Sequence, residues 1–531
     1  MTRTTPLLAF ALLALPMSLA AQKTKPAAAP AGVPPGLDQY VDSVMKAFGV
    51  PGISLTIVKD GKVIVAKGYG VRRLGEPTPV DAGTLFGIAS NTKVFTSLAL
   101  GLLVEQGKID WDAPVVNYLP WFQMYDSWVT REITVRDLLV HRSGLGLGAG
   151  DLLWWPASDY TRADIARKLK YIKPATSFRY SYAYDNVLYV VAGELIEAVS
   201  GQTWEEFVRA NILEPAGMTT SFSHYPAPDQ RGNLSSPHAV VEGSLKPVWP
   251  DTSAATNPAG GIMTNAQDEA KWLMIMADSG KLADGKRLYS ARTARALWMP
   301  VTILNNNPPP PQLAPLKANF RGYALGLNMS DYRGYKVAEH TGGLPGFVSE
   351  VSTVPDLRLG VAVFTNAESG PAFRAITLHV LDYYMGAKFD WLGAWKWVQA
   401  RNDSANAAQM KAAASARNTD SKPSLPLAKY AGTYRDPWYG DVAITQDNGQ
   451  LMIRFTHSPV LVGKLEHWQY DTFVARWKDR TLDADAYVTF SLKPDGVIDE
   501  VRMQAVSPLT DFSFDFQDLL LRPVEKGVAP R

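Results

Sequence analysis

The chain has 531 residues, is 46% hydrophobic and 20% charged, and carries 53 Lys+Arg against 51 Asp+Glu, a formal net charge of +2. At roughly 100–200 residues per domain the length fits two to four domains, and the apolar fraction excludes disorder over most of it. So small a net charge gives no basis for nucleic-acid binding by phosphate neutralisation, and the absence of cysteine excludes disulfides, thiolate catalysis, Cys-based zinc sites and cysteine-borne lipid anchors.

Residues 1–21 read as a cleavable export signal. Arg3 is the one charge before Lys23, the run from Pro6 to Pro16 is almost wholly apolar, and Ser18-Leu19-Ala20 offers small residues to a peptidase. The run is too short for a permanent span. Residues 22–36, rich in Ala and Pro, read as a flexible leader. No later stretch is long and apolar enough for a span, so the mature protein is expected to be periplasmic or secreted, with no stable membrane anchor after signal cleavage.

The β-branched runs 53–58 and 63–67, joined through Asp60-Gly61, predict a hairpin. After Ser90, Val94, Phe95, Leu98, Leu102 and Leu103 recur at helical spacing. The region 108–320 holds amphipathic segments and irregular loops; within it 185–199 places Leu188, Val191, Ala192, Leu195 and Ile196 on one face. Beyond Pro308–Pro311, strand-like runs 322–329, 335–341, 347–354 and 359–365 precede a helix-like stretch, 368–385. Strands at both ends with helices between predict an α/β (α+β) domain over 37–399, an antiparallel sheet flanked by helices with a helical insertion. Residues 400–424 have a linker's composition, rich in Ala, Asn, Ser and Lys. From Tyr430 the texture is all-β, with short alternating runs at 441–445, 450–455, 472–477, 486–492 and 497–503. Hairpins in series must close or cover their edges, which predicts a small barrel over 425–531.

Several familiar sites are missing: there is no G-x-S-x-G elbow, no H-E-x-x-H and no EF-hand loop. Gly280 to Lys286 fits G-x-x-x-x-G-K, but Arg287 stands where a P-loop needs Ser or Thr, and Asp284-Gly285 reads as a turn. The seven histidines show no metal-ligand spacing. Three short elements offer chemistry in combination. In Ser90-Asn91-Thr92-Lys93, positions i and i+3 share a helix face, so the Lys93 amine can take the Ser90 proton if its surroundings favour the neutral form. Alone, that tetrapeptide reads better as an N-cap serine beside a solvated lysine. Tyr184-Asp185-Asn186 offers a phenol that can relay a proton and an amide that can bind a carbonyl, or an aromatic loop with an Asn cap. His340-Thr341-Gly342-Gly343 ends a predicted strand, where a substrate can lie against backbone and Gly343 N–H can serve as an oxyanion donor; a hairpin turn would explain it too.

Serine, Y-x-N and a strand-borne [KH]-T-G, in that order, resemble the penicillin-recognising serine hydrolases. The nearest branch is that of the class C β-lactamases, with its esterases, D-amino-acid peptidases and penicillin-binding proteins. Phe86-Gly87-Ile88-Ala89, the run Leu138–Leu145, Asn257-Pro258-Ala259-Gly260-Gly261 and Val363-Phe364-Thr365-Asn366 are similar to that branch as well. Residues 425–506 resemble the lipocalin-like domain appended to some members, through Tyr430–Tyr434, Tyr439-Gly440 and Leu465–Trp468. The resemblance implies Ser90 as nucleophile, Lys93 as first base and Tyr184 as proton shuttle. It implies the N–H groups of Ser90 and Gly343 as oxyanion donors, with Asn186, His340, Thr341 and Gly342 binding substrate. That chemistry uses no metal or organic cofactor, and the implied partner is a small-molecule or short peptide substrate.

Two departures bear on the substrate. β-Lactamases of this branch carry lysine where this chain has His340, and a neutral imidazole cannot hold a drug carboxylate as a fixed charge does. Asp185 adds an acid beside the site, either disfavouring anionic substrates or pairing with Arg179. Trp154-Trp155 is either an aromatic wall at the cleft or a buried loop anchor. The barrel is expected to bind ligand inside or to pack on the hydrolase domain and narrow its cleft. The expected activity is an acyl-enzyme hydrolase, peptidase first and esterase second, with a β-lactamase and a slowly acylating sensor as alternatives.

Overall fold

The computed structural model describes residues 30–227, 230–249 and 253–525, so the expected signal and residues 22–29 of the leader lie outside the described residues. Chain order gives helix α1 (Leu37–Phe48), strands β1 (Gly52–Lys59) and β2 (Lys62–Gly70), and helices α2 (Lys93–Glu105) and α3 (Val187–Ser200). Strands β3 (Thr302–Ile303), β4 (Arg321–Tyr323), β5 (Asn328–Tyr332), β6 (Tyr335–Leu344), β7 (Phe347–Val354) and β8 (Leu359–Thr365) follow, then helices α4 (Gly370–Tyr384) and α5 (Trp391–Ser415). The predicted hairpin forms through Asp60-Gly61, both residues at positive φ.

One antiparallel sheet runs in the order β2-β1-β8-β7-β6-β5-β4-β3. The N-terminal hairpin thus completes a sheet whose other strands come from beyond residue 300, as the element order implied. β1 and β8 are buried along their whole length, which is why both read as continuous apolar runs rather than alternating ones. On one side of the sheet α1 and α4 pack with the apolar residues of β1 and β8. On the other lie α2, α3 and the insertion. α2 and α3 are hydrophobic nearly all round because they are buried nearly all round.

The expected linker segment is helical over most of its length. Residues 400–415 continue α5 as one 25-residue helix. Ala405, Ala407, Ala408, Gln409, Met410, Lys411 and Ala412–Ala414 are strong helix formers, and a linker's composition is here also that of a high-propensity helix. Because only Trp391 and Ala394 of this helix are buried, it carries no apolar stripe for periodicity to detect.

The C-terminal strands β9 (Gly432–Asp436), β10 (Gly440–Asp447), β11 (Gln450–Phe455), β12 (Val462–Gln469), β13 (Thr472–Trp477), β14 (Ala486–Leu492), β15 (Ile498–Ala505) and β16 (Arg522–Pro523) form a second antiparallel sheet, in the order β15-β14-β13-β12-β11-β10-β9-β16. Val501 and Leu521 exchange both backbone hydrogen bonds, at 2.8 and 3.2 Å, so the sheet curls into a nearly closed barrel. Its interior is filled by side chains: the Tyr430 ring lies 4.9 Å from Phe490 and 5.1 Å from Phe473. After β15 the chain leaves the barrel and runs across the N-terminal domain before returning as β16.

Candidate active site

Ser90 lies in a tight 3₁₀ turn, Ala89–Thr92, that leads straight into α2. The preceding Ala89 has φ 50°, left-handed for an L residue and a cost of roughly 1–2 kcal/mol. The surroundings enforce it. Ile88 N–H donates to Ile262 O at 3.1 Å, Ser349 Oγ donates to Ile88 O at 2.8 Å, and Ile262 N–H donates to Thr92 Oγ1 at 3.0 Å. β6 passes directly over this turn. A Cβ on Gly342 would stand 2.2 Å from Ile88 O and 2.9 Å from Ala89 Cβ, so only glycine lets the strand approach the serine this closely. At Gly343 a Cβ would meet nothing within 4 Å, because that residue faces the cavity.

The three chemical elements converge on Ser90. Lys93 Nζ lies 3.0 Å from Ser90 Oγ, and Tyr184 OH donates to Ser90 Oγ at 2.8 Å. Lys93 Nζ also donates to Asn186 Oδ1 at 2.7 Å and to Ala259 O at 3.1 Å. Lys93 is fully buried, and desolvation pulls its amine down to about 7, against the opposing pull of Asp151 and Asp185. A neutral amine has two N–H bonds and one lone pair. The two carbonyl oxygens take both hydrogens, which leaves the lone pair directed at Ser90. Burial holds the Tyr184 phenol well above its ordinary 10, so it is a proton donor at neutral pH. His340 Nε2 lies 2.9 Å from Tyr323 OH, and burial together with the Lys93 charge pulls its imidazole down to about 3.

Ser90, Tyr184, Asn186, His340, Thr341, Gly342 and Gly343 all line one cavity of about 300 Å³. Trp154 and Trp155 are both wall and anchor: they line the cavity while each is only 8% exposed. Among the described residues no Lys or Arg lines this cavity, and Asp511 is its one carboxylate. Asp185 does not line it. That side chain is buried, accepts from Ser143 Oγ at 3.2 Å and stands 3.9 Å from His141 Nδ1. The suggested pairing with Arg179 does not form, because Arg179 Nη2 donates to Asp137 at 2.5 Å. The carboxyl points into the insertion because the chain has already turned toward α3.

Two features escaped the sequence reading. Asp151 is fully buried behind Asn186, accepting from Asn186 Nδ2 at 2.8 Å and from Trp154 Nε1 at 3.0 Å. Desolvation pushes its carboxyl up to about 7. The segment after β15 also enters the site: Asp511, Phe512 and Ser513 line the cavity, and the Phe512 ring stands edge-on to Tyr184 at 6.0 Å. The barrel domain therefore packs on the N-terminal domain at the cleft itself. The available signal was the run Asp511-Phe512-Ser513-Phe514-Asp515-Phe516, a strict polar–aromatic alternation beyond the last hairpin.

A model of the beta-lactamase family matches residues 37–384, and one for a domain of unknown function (DUF3471) matches residues 416–523. The chain is 30% identical to the unguisins hydrolase of Aspergillus campestris over 444 residues, 78% of each protein. It is 30% identical to protein flp of Staphylococcus aureus over 250 residues, 45% of this chain and 47% of that one. Among solved structures it shares its fold with the octameric penicillin-binding protein homologue from Pyrococcus abyssi, with TM-score 0.56, 22% identity, and coverage of 88% of this chain and 97% of that one. It also shares its fold with a D-stereospecific amidohydrolase from Streptomyces, with TM-score 0.50, 22% identity, and coverage of 64% and 96%.

Proposed function

This chain belongs to the beta-lactamase family, and from that premise we propose that it is an exported serine hydrolase that forms an acyl-enzyme at Ser90 and cleaves short peptides or esters. The observation that carries the reading is the placement of Lys93 Nζ, 3.0 Å from Ser90 Oγ and within hydrogen-bond reach of Asn186 Oδ1 and Ala259 O, so that a neutral amine bonded to those two oxygens has its lone pair left for Ser90. Ser90 Oγ attacks the carbonyl carbon as its proton passes to Lys93 Nζ. The negative charge collects on the carbonyl oxygen, and the N–H groups of Ser90 and Gly343 are assigned to hold it; one such donor is typically worth about 2.7–4 kcal/mol. Tyr184 protonates the leaving amine or alcohol as the C–N or C–O bond breaks, and recovers a proton from Lys93. Water then cleaves the Ser90 ester, releasing the acid and restoring the hydroxyl. Asn186 and the Thr341 backbone align the substrate, and His340 bounds it as a neutral group.

The cavity supports a peptide or ester substrate over a β-lactam. No fixed cation lines it, His340 stays neutral above about pH 3, and Asp511 repels a carboxylate. Peptidase activity comes first because one relative is named a hydrolase of unguisins and one structure of like fold is named a D-stereospecific amidohydrolase. Export is supported by the charge-poor apolar run Pro6–Pro16. The test is covalent labelling of the full chain by a fluorophosphonate, read by intact mass, with turnover across a panel of esters, L- and D-peptides and nitrocefin. One adduct, absent from Ser90→Ala, with turnover of peptides or esters is the expected result. No adduct and no turnover would refute it.

A further inference from the structure

Asp151 has no part in the acylation chemistry, yet it is a fully buried carboxyl one residue removed from the catalytic amine. Asn186 bridges the two: its Oδ1 accepts from Lys93 Nζ at 2.7 Å and its Nδ2 donates to Asp151 Oδ2 at 2.8 Å. The amide can carry both bonds in only one orientation. Trp154 Nε1 and Ser513 Oγ also donate to Asp151, and in its ionised form this carboxyl only accepts, so it draws Nδ2 toward itself and turns Oδ1 to the lysine. Without an acceptor there, the amide is free to flip and present N–H to an N–H.

Besides Asn186 and Trp154 of its own domain, Asp151 is held by groups from the other domain. Ser513 Oγ donates to Asp151 Oδ2 at 2.8 Å. Asp515 Oδ2 accepts from Gly150 N–H at 2.7 Å and its Oδ1 from Leu152 N–H at 3.0 Å, clamping the backbone on both sides of Asp151. Both residues are buried and both follow the last long strand of the barrel. Resting on the acyl-enzyme reading above, we propose that Asp151 is a positioning residue that orients Asn186 and the Lys93 amine, and that the C-terminal domain supplies its hold through Ser513 and Asp515. The hydrolase domain's base is on this view completed by the barrel.

The charged and titratable groups around this network are Lys93, His141, Tyr184, Asp185, Tyr189 and His340 on the hydrolase side and Asp515 on the barrel side. Removing the Asp151 charge takes away an anion that favours protonated Lys93. The amine's pKa then falls, and the acidic limb of the acylation rate moves to lower pH. Ser513→Ala withdraws a hydrogen bond that favours the carboxylate, so its shift has the same sign and is smaller.

The experiment measures fluorophosphonate labelling of Ser90 against pH 5–9 in the full chain, for the parent, Asp151→Asn, Ser513→Ala, Ser513→Thr and Asp515→Asn. Asp159→Asn is the control, because it breaks a different contact between the domains, the 2.7 Å pair of Asp159 with His457. Expected are a loss of about tenfold or more in plateau rate for Asp151→Asn, in line with the sensitivity of such chemistry to misplacement by about 1 Å. Its acidic limb should move down by about half a pH unit or more, Ser513→Thr should restore what Ser513→Ala loses, and Asp159→Asn should match the parent. Variants that match the parent, or that lose rate only in step with their melting temperature at an unmoved limb, overturn the inference and leave the hydrolase reading standing. A parent that never labels overturns both.

Discussion

The buried lysine makes the sharpest quantitative demand. A fall in the Lys93 pKa from 10.5 to about 7 corresponds to about 5 kcal/mol between the protonated and neutral forms. At pH 7 about half of the amine is then neutral, against roughly one part in 3,000 for an unperturbed lysine. The sign follows from the role. A general base acts when deprotonated, so acylation rises with pH, with its midpoint near 7 and a plateau above about pH 8. Two units below the midpoint, at pH 5, the rate is about 1% of the plateau. The neighbouring groups do not blur this window from outside it: His340 titrates near 3 and Tyr184 well above 10. Asp151, near 7, titrates inside it and is bridged to Lys93 by Asn186, so the observed midpoint belongs to the pair. The assay is the second-order rate of Ser90 labelling by a neutral fluorophosphonate from pH 4.5 to 9.5, read by intact mass. A rate that still climbs tenfold per pH unit at pH 9, or one that is flat from 5 to 9, refutes Lys93 as the base.

Gly342→Ala places a methyl 2.2 Å from Ile88 O; strand or turn must move, and the labelling rate should fall about tenfold or more, while Gly343→Ala, whose Cβ meets nothing, should lose clearly less. Equal losses would separate the rate from the strand's approach. Phe512→Ala removes the ring standing against Tyr184 and should raise kcat/KM for bulky acyl groups relative to small ones in a paired-substrate assay. His340→Lys adds a fixed cation to the cavity and should raise nitrocefin turnover relative to a neutral ester; an unchanged ratio would remove His340 from the account of specificity. Glu269 is buried with both carboxyl oxygens unpartnered, beside Phe95, Trp272 and Met276, and desolvation with the nearby Asp268 charge pushes it up to about 8. Its unfolded form ionises from about 4.5, so stability falls as pH rises from 4.5 to 8, and Glu269→Met should raise the melting temperature more at pH 8 than at pH 5.

How much of this was legible in the sequence follows from where each residue's partners lie along the chain. Ser90 and Lys93 are one turn apart, so local geometry sufficed to bring them together, and the buried runs of β1 and β8 announced a sheet core. Tyr184 and His340 could be joined to them only by resemblance, because a contact with Ser90 across 94 positions of chain, as for Tyr184, leaves no local trace. The helix over 400–415 was hidden for the opposite reason: it buries too little to show a stripe. Asp151 was hidden most deeply. Its neighbours in sequence are Gly150 and two leucines, the surroundings of an ordinary buried turn, and its meaning rests on Ser513, 362 residues away. An unpaired carboxyl in that position would cost several kcal/mol. Asn186 and Trp154 offset part of that cost and Ser513 of the second domain the rest, just as that domain's 511–515 segment uses the Gly148–Leu152 turn to bury Ser513 and Asp515. The two domains therefore exchange buried polar partners at the cavity wall, and a chain cut after α5 should lose more than a barrel: Asp151 would lose the Ser513 donor and the clamp on its flanking backbone, and the amine beside Ser90 would be set differently.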